Sequence, residues 1–306
     1  MRVAFCFPGQ GSQEIGMGQD FAEGMAESMD VFLEGSQASG LDLPRLCFAG
    51  PLEELTETAV QQPALVTASL ACLRAVETLG LVPDAVVGHS VGEYSALGAC
   101  GALSVRDAIA LVSERALATA EAARETPGSM AAVLGLADAV VEELCAGIEG
   151  VWPANYNCPG QIVVSGTEAA VEALIEAATE HGARRAVKLR VTGAFHSPLV
   201  AAAAVRLRPA AERAAWQEPR TSFMSTVSAR VETRDRLPGL LVEQLTAPVR
   251  FTQAIESLVR SGVELFVEIG PGQVLSGLIR RIDRSVIALS VGSRASLAKL
   301  EEVIAA

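Results

Sequence analysis

Asp84-Ala85-Val86-Val87-Gly88-His89-Ser90-Val91-Gly92 passes from a short apolar strand, through a serine between glycines, into residues of helical composition. Gly-x-Ser-x-Gly by itself recurs by chance about once in ten chains of this length. The setting narrows it. A strand that turns sharply into a helix lifts a serine hydroxyl clear of a sheet, and the glycines leave room for a crowded backbone. The N–H of Val91 would aim at the same spot from a helix N-terminus, which is half of an oxyanion hole. The competing reading is a tight turn whose serine only caps the next helix.

Upstream, Val3–Phe7 reads as a buried strand that stops at Pro8-Gly9-Gln10-Gly11, and Ala64–Leu79 reads as a helix. Ser104-x-x-Asp107 is a capping box that opens a helix running to about Arg124. Downstream, Leu265–Ile269 is a strand ending at Gly270-Pro271-Gly272. Such alternation predicts a mostly parallel sheet covered on both faces. Residues 128–191 have their own rhythm. Strand Met130–Leu136 and helix Ala137–Ala146 precede strands Val151–Asn157 and Gln161–Gly166; helix Glu168–Glu180 and strand Ala186–Val191 follow. That βαββαβ order is the ferredoxin-like unit, with Thr126-Pro127-Gly128 and Thr192-Gly193 as hinges. The expected fold is α/β: an α/β-hydrolase-like large domain (1–127 and 192–306) with a parallel sheet and a nucleophile elbow. It carries an inserted ferredoxin-like small subdomain (128–191).

Composition removes whole classes of function. The 306 residues include 24 Lys and Arg against 36 Asp and Glu, for a net charge of −12. That balance argues against duplex nucleic acid and against an anionic membrane surface, although a local basic patch can survive it. Half the residues are hydrophobic, enough to build a core and exclude a wholly disordered chain. No apolar run approaches the roughly 20 residues of a bilayer span, and Val3–Phe7 is too short for a signal-peptide core. Six scattered cysteines without a Cys-x-x-Cys pair read as reduced core thiols, so a soluble cytoplasmic protein is expected.

A serine hydroxyl needs a base before it attacks, and the chain has three histidines. His89 adjoins the serine, which points the two side chains apart. His181 precedes Gly182 at a helix end, where an imidazole suits the dipole. His196 lies in Gly193-Ala194-Phe195-His196-Ser197-Pro198, at the exit of the small subdomain, where a cleft would form. Their spacing offers no metal site. Arg115 shares a helical face with Ala108, Leu111 and Val112, and its own helix supplies no acid on that side. One reading is a ligand carboxylate gripped by two parallel hydrogen bonds; the other is an arginine snorkelling to solvent. Gly9-Gln10-Gly11-Ser12-Gln13 lacks both the dinucleotide spacing and the Walker lysine. Following the first strand, that loop could give the second oxyanion N–H, with Gln10 the candidate.

Taken together, these stretches resemble the malonyl-CoA:acyl-carrier-protein transacylases, the acyltransferases of fatty-acid and polyketide synthesis. The matches are Phe7-Pro8-Gly9-Gln10-Gly11-Ser12-Gln13, Gln62-Pro63-Ala64-Leu65, Gly88-His89-Ser90-Val91-Gly92-Glu93-Tyr94 and Asn157-Cys158-Pro159-Gly160-Gln161. Gly193-Ala194-Phe195-His196-Ser197-Pro198 and Glu268-Ile269-Gly270-Pro271-Gly272 complete them, in family order, to about Ile282. The resemblance implies Ser90 as the acylated nucleophile and His196 as its base. A backbone carbonyl, at Gln244, would orient that base in place of a triad's carboxylate. Backbone N–H groups of Gln10 and Val91 would hold the oxyanion and Arg115 the free carboxylate of malonate, with Gln62 and Asn157 lining the site. Phe195 resembles the malonyl-selecting form of its loop. Cys158 stands where the family commonly has Ser, and Gln273 where it often has Lys.

The implied activity is ping-pong transfer of malonyl from malonyl-CoA to the phosphopantetheine thiol of acyl carrier protein, for fatty-acid synthesis. It needs no cofactor or metal. A free-standing polyketide acyltransferase and a malonate-decarboxylase subunit share the same residues. A serine thioesterase or hydrolase would leave Arg115 without a task, and a scaffold that docks carrier without chemistry would have no use for an intact Ser90 and His196. Carrier proteins are acidic, so docking on a −12 chain needs a local basic face. Arg184, Arg185 and Lys188 with Arg280, Arg281 and Arg284 are the clusters available; scattered, solvated charge is the alternative. A monomer is expected.

Overall fold

The computed structural model describes residues 1–305. Among them, ten strands fall into two sheets: β1 (Arg2–Phe7), β2 (Ala85–Gly88), β3 (Ser129–Leu134), β4 (Val151–Cys158), β5 (Gln161–Gly166), β6 (Arg185–Lys188), β7 (Ser222–Ser225), β8 (Arg230–Glu232), β9 (Val263–Ile269) and β10 (Ile287–Val291). The larger sheet has the order β10-β9-β1-β2-β7-β8 and is parallel except for β8, antiparallel to β7 at one edge. Strands covered on both faces must be apolar at successive positions rather than at alternate ones. β1 is buried throughout from Val3 to Phe7. Its side chains alternate between two cores, Val3, Phe5 and Phe7 feeding one and Ala4 and Cys6 the other.

The Thr58–Glu77 helix starts at Thr58 rather than Ala64 and carries Pro63 in its interior. Proline there removes a helix hydrogen bond at a cost of about 3 kcal/mol. Burial offsets it: every residue from Val60 to Leu73 is buried. The next long helix, Val105–Glu125, begins where the capping box places it, with the Asp107 N–H donating to Ser104 Oγ at 3.0 Å.

The smaller sheet has the order β4-β5-β3-β6 with every neighbour antiparallel, and the Asp138–Gly147 and Glu168–Glu180 helices pack on it. β6 covers Arg185–Lys188, not the expected Ala186–Val191. Leu189 still donates to the Met130 carbonyl, but Leu189, Arg190 and Val191 then leave the sheet to line the central cavity. β4 is also tied to the segment before the Phe251–Arg260 helix, because Val249 donates to Ala154 and accepts from Tyr156, both at 2.8 Å. Six free cysteines lie buried. Burial raises every one of their thiol pKa values, to about 12 for Cys47, Cys72 and Cys145. No helix among the described residues is long and apolar enough to cross a membrane.

Candidate active site

β2 runs into its turn with Gly88, and Ser90 follows at φ 53°. Among the described residues, three non-glycines have a positive φ; Ser90 and His196 (φ 58°) are two of them. Such backbone costs on the order of 1–3 kcal/mol and persists where surrounding packing enforces it. Here the enforcement is visible. A Cβ on Gly92 would meet the Phe7 carbonyl oxygen at 2.1 Å, and one on Gly88 would meet the Glu93 nitrogen at 2.1 Å. β1, the turn and the Gly92–Ala99 helix are therefore wedged together with Ser90 at the apex.

Ser90 Oγ lies 2.8 Å from His196 Nε2. On the other side of the ring, Nδ1 faces the carbonyl oxygens of Gln244 at 2.9 Å and Ala247 at 3.1 Å. Carbonyls only accept, so Nδ1 carries the proton and Nε2 offers its lone pair to the serine. Burial, and then the nearby Arg115 charge, push the His196 pKa down to about 3, which keeps the imidazole neutral. The Gln244 carbonyl, expected beside the base, lies within hydrogen-bond distance of its Nδ1, together with that of Ala247.

Arg115 does not snorkel; it is 4% exposed. Nη1 donates to Gln62 Oε1 at 2.5 Å, and Nη2 donates to Ser90 Oγ at 3.1 Å and Gln244 Oε1 at 3.3 Å. The guanidinium lies 5.8 Å from the centre of the Tyr94 ring. Its Nε is buried without a partner, and no carboxylate among the described residues pairs with it. Gln62 is fixed from behind by donating to Thr119 Oγ1 at 3.1 Å.

These groups open onto a cavity of about 460 Å³ between the two sheets, lined by Gln10, Gln62, Ser90, Arg115, Asn157, Phe195 and His196 among others. Val91 is not in the lining; its side chain is packed in the core. The N–H groups of Gln10 and Val91 have no acceptor among the described residues. Asn157 reaches the site from β4 and accepts from His89 Nε2 at 2.9 Å, so His89 turns away from the serine and joins the two sheets. His181 faces the Ala177 carbonyl at its helix end.

The basic clusters divide. Lys188 is paired with Glu168, and Arg280 donates to the Ala288 carbonyl at 2.9 Å. Arg281 donates to Gln161 Oε1 at 2.6 Å, and Gln161 lines the cavity. Gln161 and Arg185 both pair with Leu134, on opposite sides of it, which brings the clusters of Arg184, Arg185 and Arg281 to one end of the smaller sheet. Arg284 is exposed. Sequence reasoning missed Glu93, buried at the start of the Gly92–Ala99 helix. The available signal was an acid inside the otherwise uncharged run Gly92-Glu93-Tyr94-Ser95-Ala96-Leu97.

A strained serine hydrogen-bonded to a neutral histidine that carbonyls hold is an arrangement suited to serine-type acyl transfer. The acyl transferase domain family model matches residues 4–300. The malonyl CoA-acyl carrier protein transacylase of Bacillus subtilis is 43% identical over 95% of this chain and 93% of its own. The structure of the acyl-carrier-protein S-malonyltransferase of Bartonella henselae superposes with a TM-score of 0.95, at 41% identity over 100% of both chains. A malonyl-transacylase solved with its type II polyketide-synthase carrier protein also gives 0.95, at 37% identity, covering 99% of this chain and 100% of its own. The chain belongs to the malonyl CoA-acyl carrier protein transacylase family, and it is an acyltransferase.

Proposed function

We propose that the protein moves malonyl from malonyl-CoA to the phosphopantetheine thiol of an acyl carrier protein through malonyl-Ser90, for fatty-acid synthesis. The observation that carries this reading is Arg115: a buried guanidinium 3.1 Å from the nucleophile, with no acid of its own. A malonyl carboxylate supplies that missing anion. An acetyl group would leave the cation unpaired, which is the arrangement that discriminates most strongly.

Ser90 Oγ attacks the thioester carbonyl while His196 Nε2 takes its proton. The oxyanion lies against the N–H groups of Gln10 and Val91, and collapse expels the CoA thiolate, which recovers the proton from His196. The carrier thiol then attacks malonyl-Ser90, giving its proton to His196, which returns it to Ser90 as the new thioester leaves. Base assistance of this kind contributes about 10²–10⁴-fold and one oxyanion donor about 10²–10³-fold. Gln62 steadies Arg115, while Asn157 and Phe195 shape the acyl pocket.

We read the large sheet as an α/β-hydrolase-like domain of residues 1–127 and 192–306. The four-stranded sheet is then a ferredoxin-like insert of residues 128–191, and the acyl group lies between them. Six buried, unpaired thiols suit a cytoplasmic enzyme. Arg184, Arg185 and Arg281 offer an acidic carrier a basic rim beside the cavity, whereas Arg280 is held by the Ala288 carbonyl. The test is intact mass after mixing with malonyl-CoA or acetyl-CoA, with Ser90→Ala alongside. We expect a malonyl adduct on the wild type alone, discharged by phosphopantetheinylated carrier, and more slowly from Arg185→Glu/Arg281→Glu. Release of CoA with neither adduct nor carrier product would mean a hydrolase.

A further inference from the structure

We propose that Glu93 is a positioning residue of the transfer reaction, acting through the side chain of Gln244; the proposal rests on the malonyl-transfer reading above. The polarity of the network around Gln244 follows from what each group can do. Arg115 can only donate, so the Gln244 atom facing it is the amide oxygen. Gln244 Nε2 is left to donate to the Ser90 carbonyl at 3.1 Å and to Glu93 Oε2. The other Glu93 oxygen accepts from the Thr226 N–H at 2.6 Å, the Thr226 hydroxyl at 2.9 Å and the Ser225 hydroxyl at 3.2 Å.

Each Glu93 oxygen therefore faces an N–H that can only donate, so both oxygens serve as acceptors. Burial raises the Glu93 pKa above its ordinary value, and these hydrogen bonds hold back part of that rise. One glutamine then does four things. Its carbonyl holds His196 Nδ1, its amide N–H groups hold Ser90 and Glu93, and its amide oxygen holds Arg115. Without Glu93 the amide would be free to rotate, and nucleophile, base and substrate cation would lose their common anchor. Glu93 does not line the cavity, so it reaches the reaction only through Gln244. A glutamine at 93 has the same shape but must turn its NH₂ toward either Gln244 Nε2 or the Thr226 N–H, donor against donor.

The experiment is a double-mutant cycle on single-turnover acylation by malonyl-CoA, read as the malonyl-Ser90 mass adduct, with melting followed in parallel. The variants are Glu93→Gln, Gln244→Met and the double; methionine keeps the carbonyl that faces His196 and removes only the amide. Small misplacements at a site can cost on the order of 100-fold, so each single variant should lose about 10- to 100-fold in acylation rate with little change in malonyl-CoA KM. The double should be no slower than Gln244→Met alone, because both changes cut one chain. Glu93→Asp, which keeps a carboxyl acceptor, should recover part of the rate. Additive losses, or a Glu93→Gln protein that melts lower but acylates normally, would overturn the proposal. If Glu93→Gln does not fold, Gln244→Met decides alone: unchanged acylation rejects the relay. A wild type that forms no adduct at all rejects the malonyl-transfer reading instead.

Discussion

Arg115 is held by two glutamine oxygens, the Ser90 hydroxyl and the Tyr94 ring face, so the folded protein keeps a buried cation with no carboxylate paired to it directly. Removing that charge spares a desolvation cost of several kcal/mol but strands two amide oxygens at about 1–3 kcal/mol each. Arg115→Met should therefore melt near the wild type while its malonyl-over-acetyl preference falls by at least about 100-fold. Competition between the two CoA esters, scored by adduct mass, checks this; an unchanged preference would remove Arg115 from selection. Ser90, His196 and Arg115 were legible because each residue type brings chemistry that its surroundings could not otherwise use. Glu93 was not, because in sequence an acid in the first turn of a helix needs no explanation beyond the helix dipole.

The elbow depends on close backbone approach more than on any side chain. Gly92→Ala would place a methyl 2.1 Å from the Phe7 carbonyl, and no flexible atom is there to yield. Overpacking of this kind costs about 1–3 kcal/mol, and the displacement would shift Ser90 away from His196. Calorimetry should show the lower melting point, and mass spectrometry the loss of adduct. Much of the element order was readable from periodicity and caps, as Ser104 and the βαββαβ rhythm illustrate. The two misplaced boundaries share a cause. Pro63 lies inside a helix because burial on nearly every side outweighs it, and Leu189–Val191 leave their strand because they line a cavity. Both depend on what packs alongside, which local pattern does not encode. Similarly, the ties of Val249 to β4 and of His89 to Asn157 join distant segments and left no local trace.

Across the whole molecule, acid stability carries the signature of the site. The His196 pKa falls from 6.5 to about 3 on folding, chiefly through burial. Above about pH 6.5 both folded and unfolded chains hold the ring neutral. Below it the unfolded chain takes a proton that the folded one refuses, so stability is lost as pH drops, by about 1.4 kcal/mol per unit. His196→Gln lacks this term. Between pH 6.5 and 5 it should lose about 2 kcal/mol less than the wild type in urea unfolding, whatever the buried acids add to both proteins. Parallel curves would mean the ring is not held neutral.

The six sealed cysteines have a chemical counterpart in the reaction. Malonyl leaves one sulfur and arrives on another, and a thioester passes its acyl group readily to an exposed thiolate. A reachable cysteine would intercept the acyl group as a thioester of its own, releasing the original thiol. With every thiol of its own buried and its pKa raised by burial, the protein offers no thiolate in the path of the acyl group. Chemoselectivity here belongs as much to the core as to the cavity.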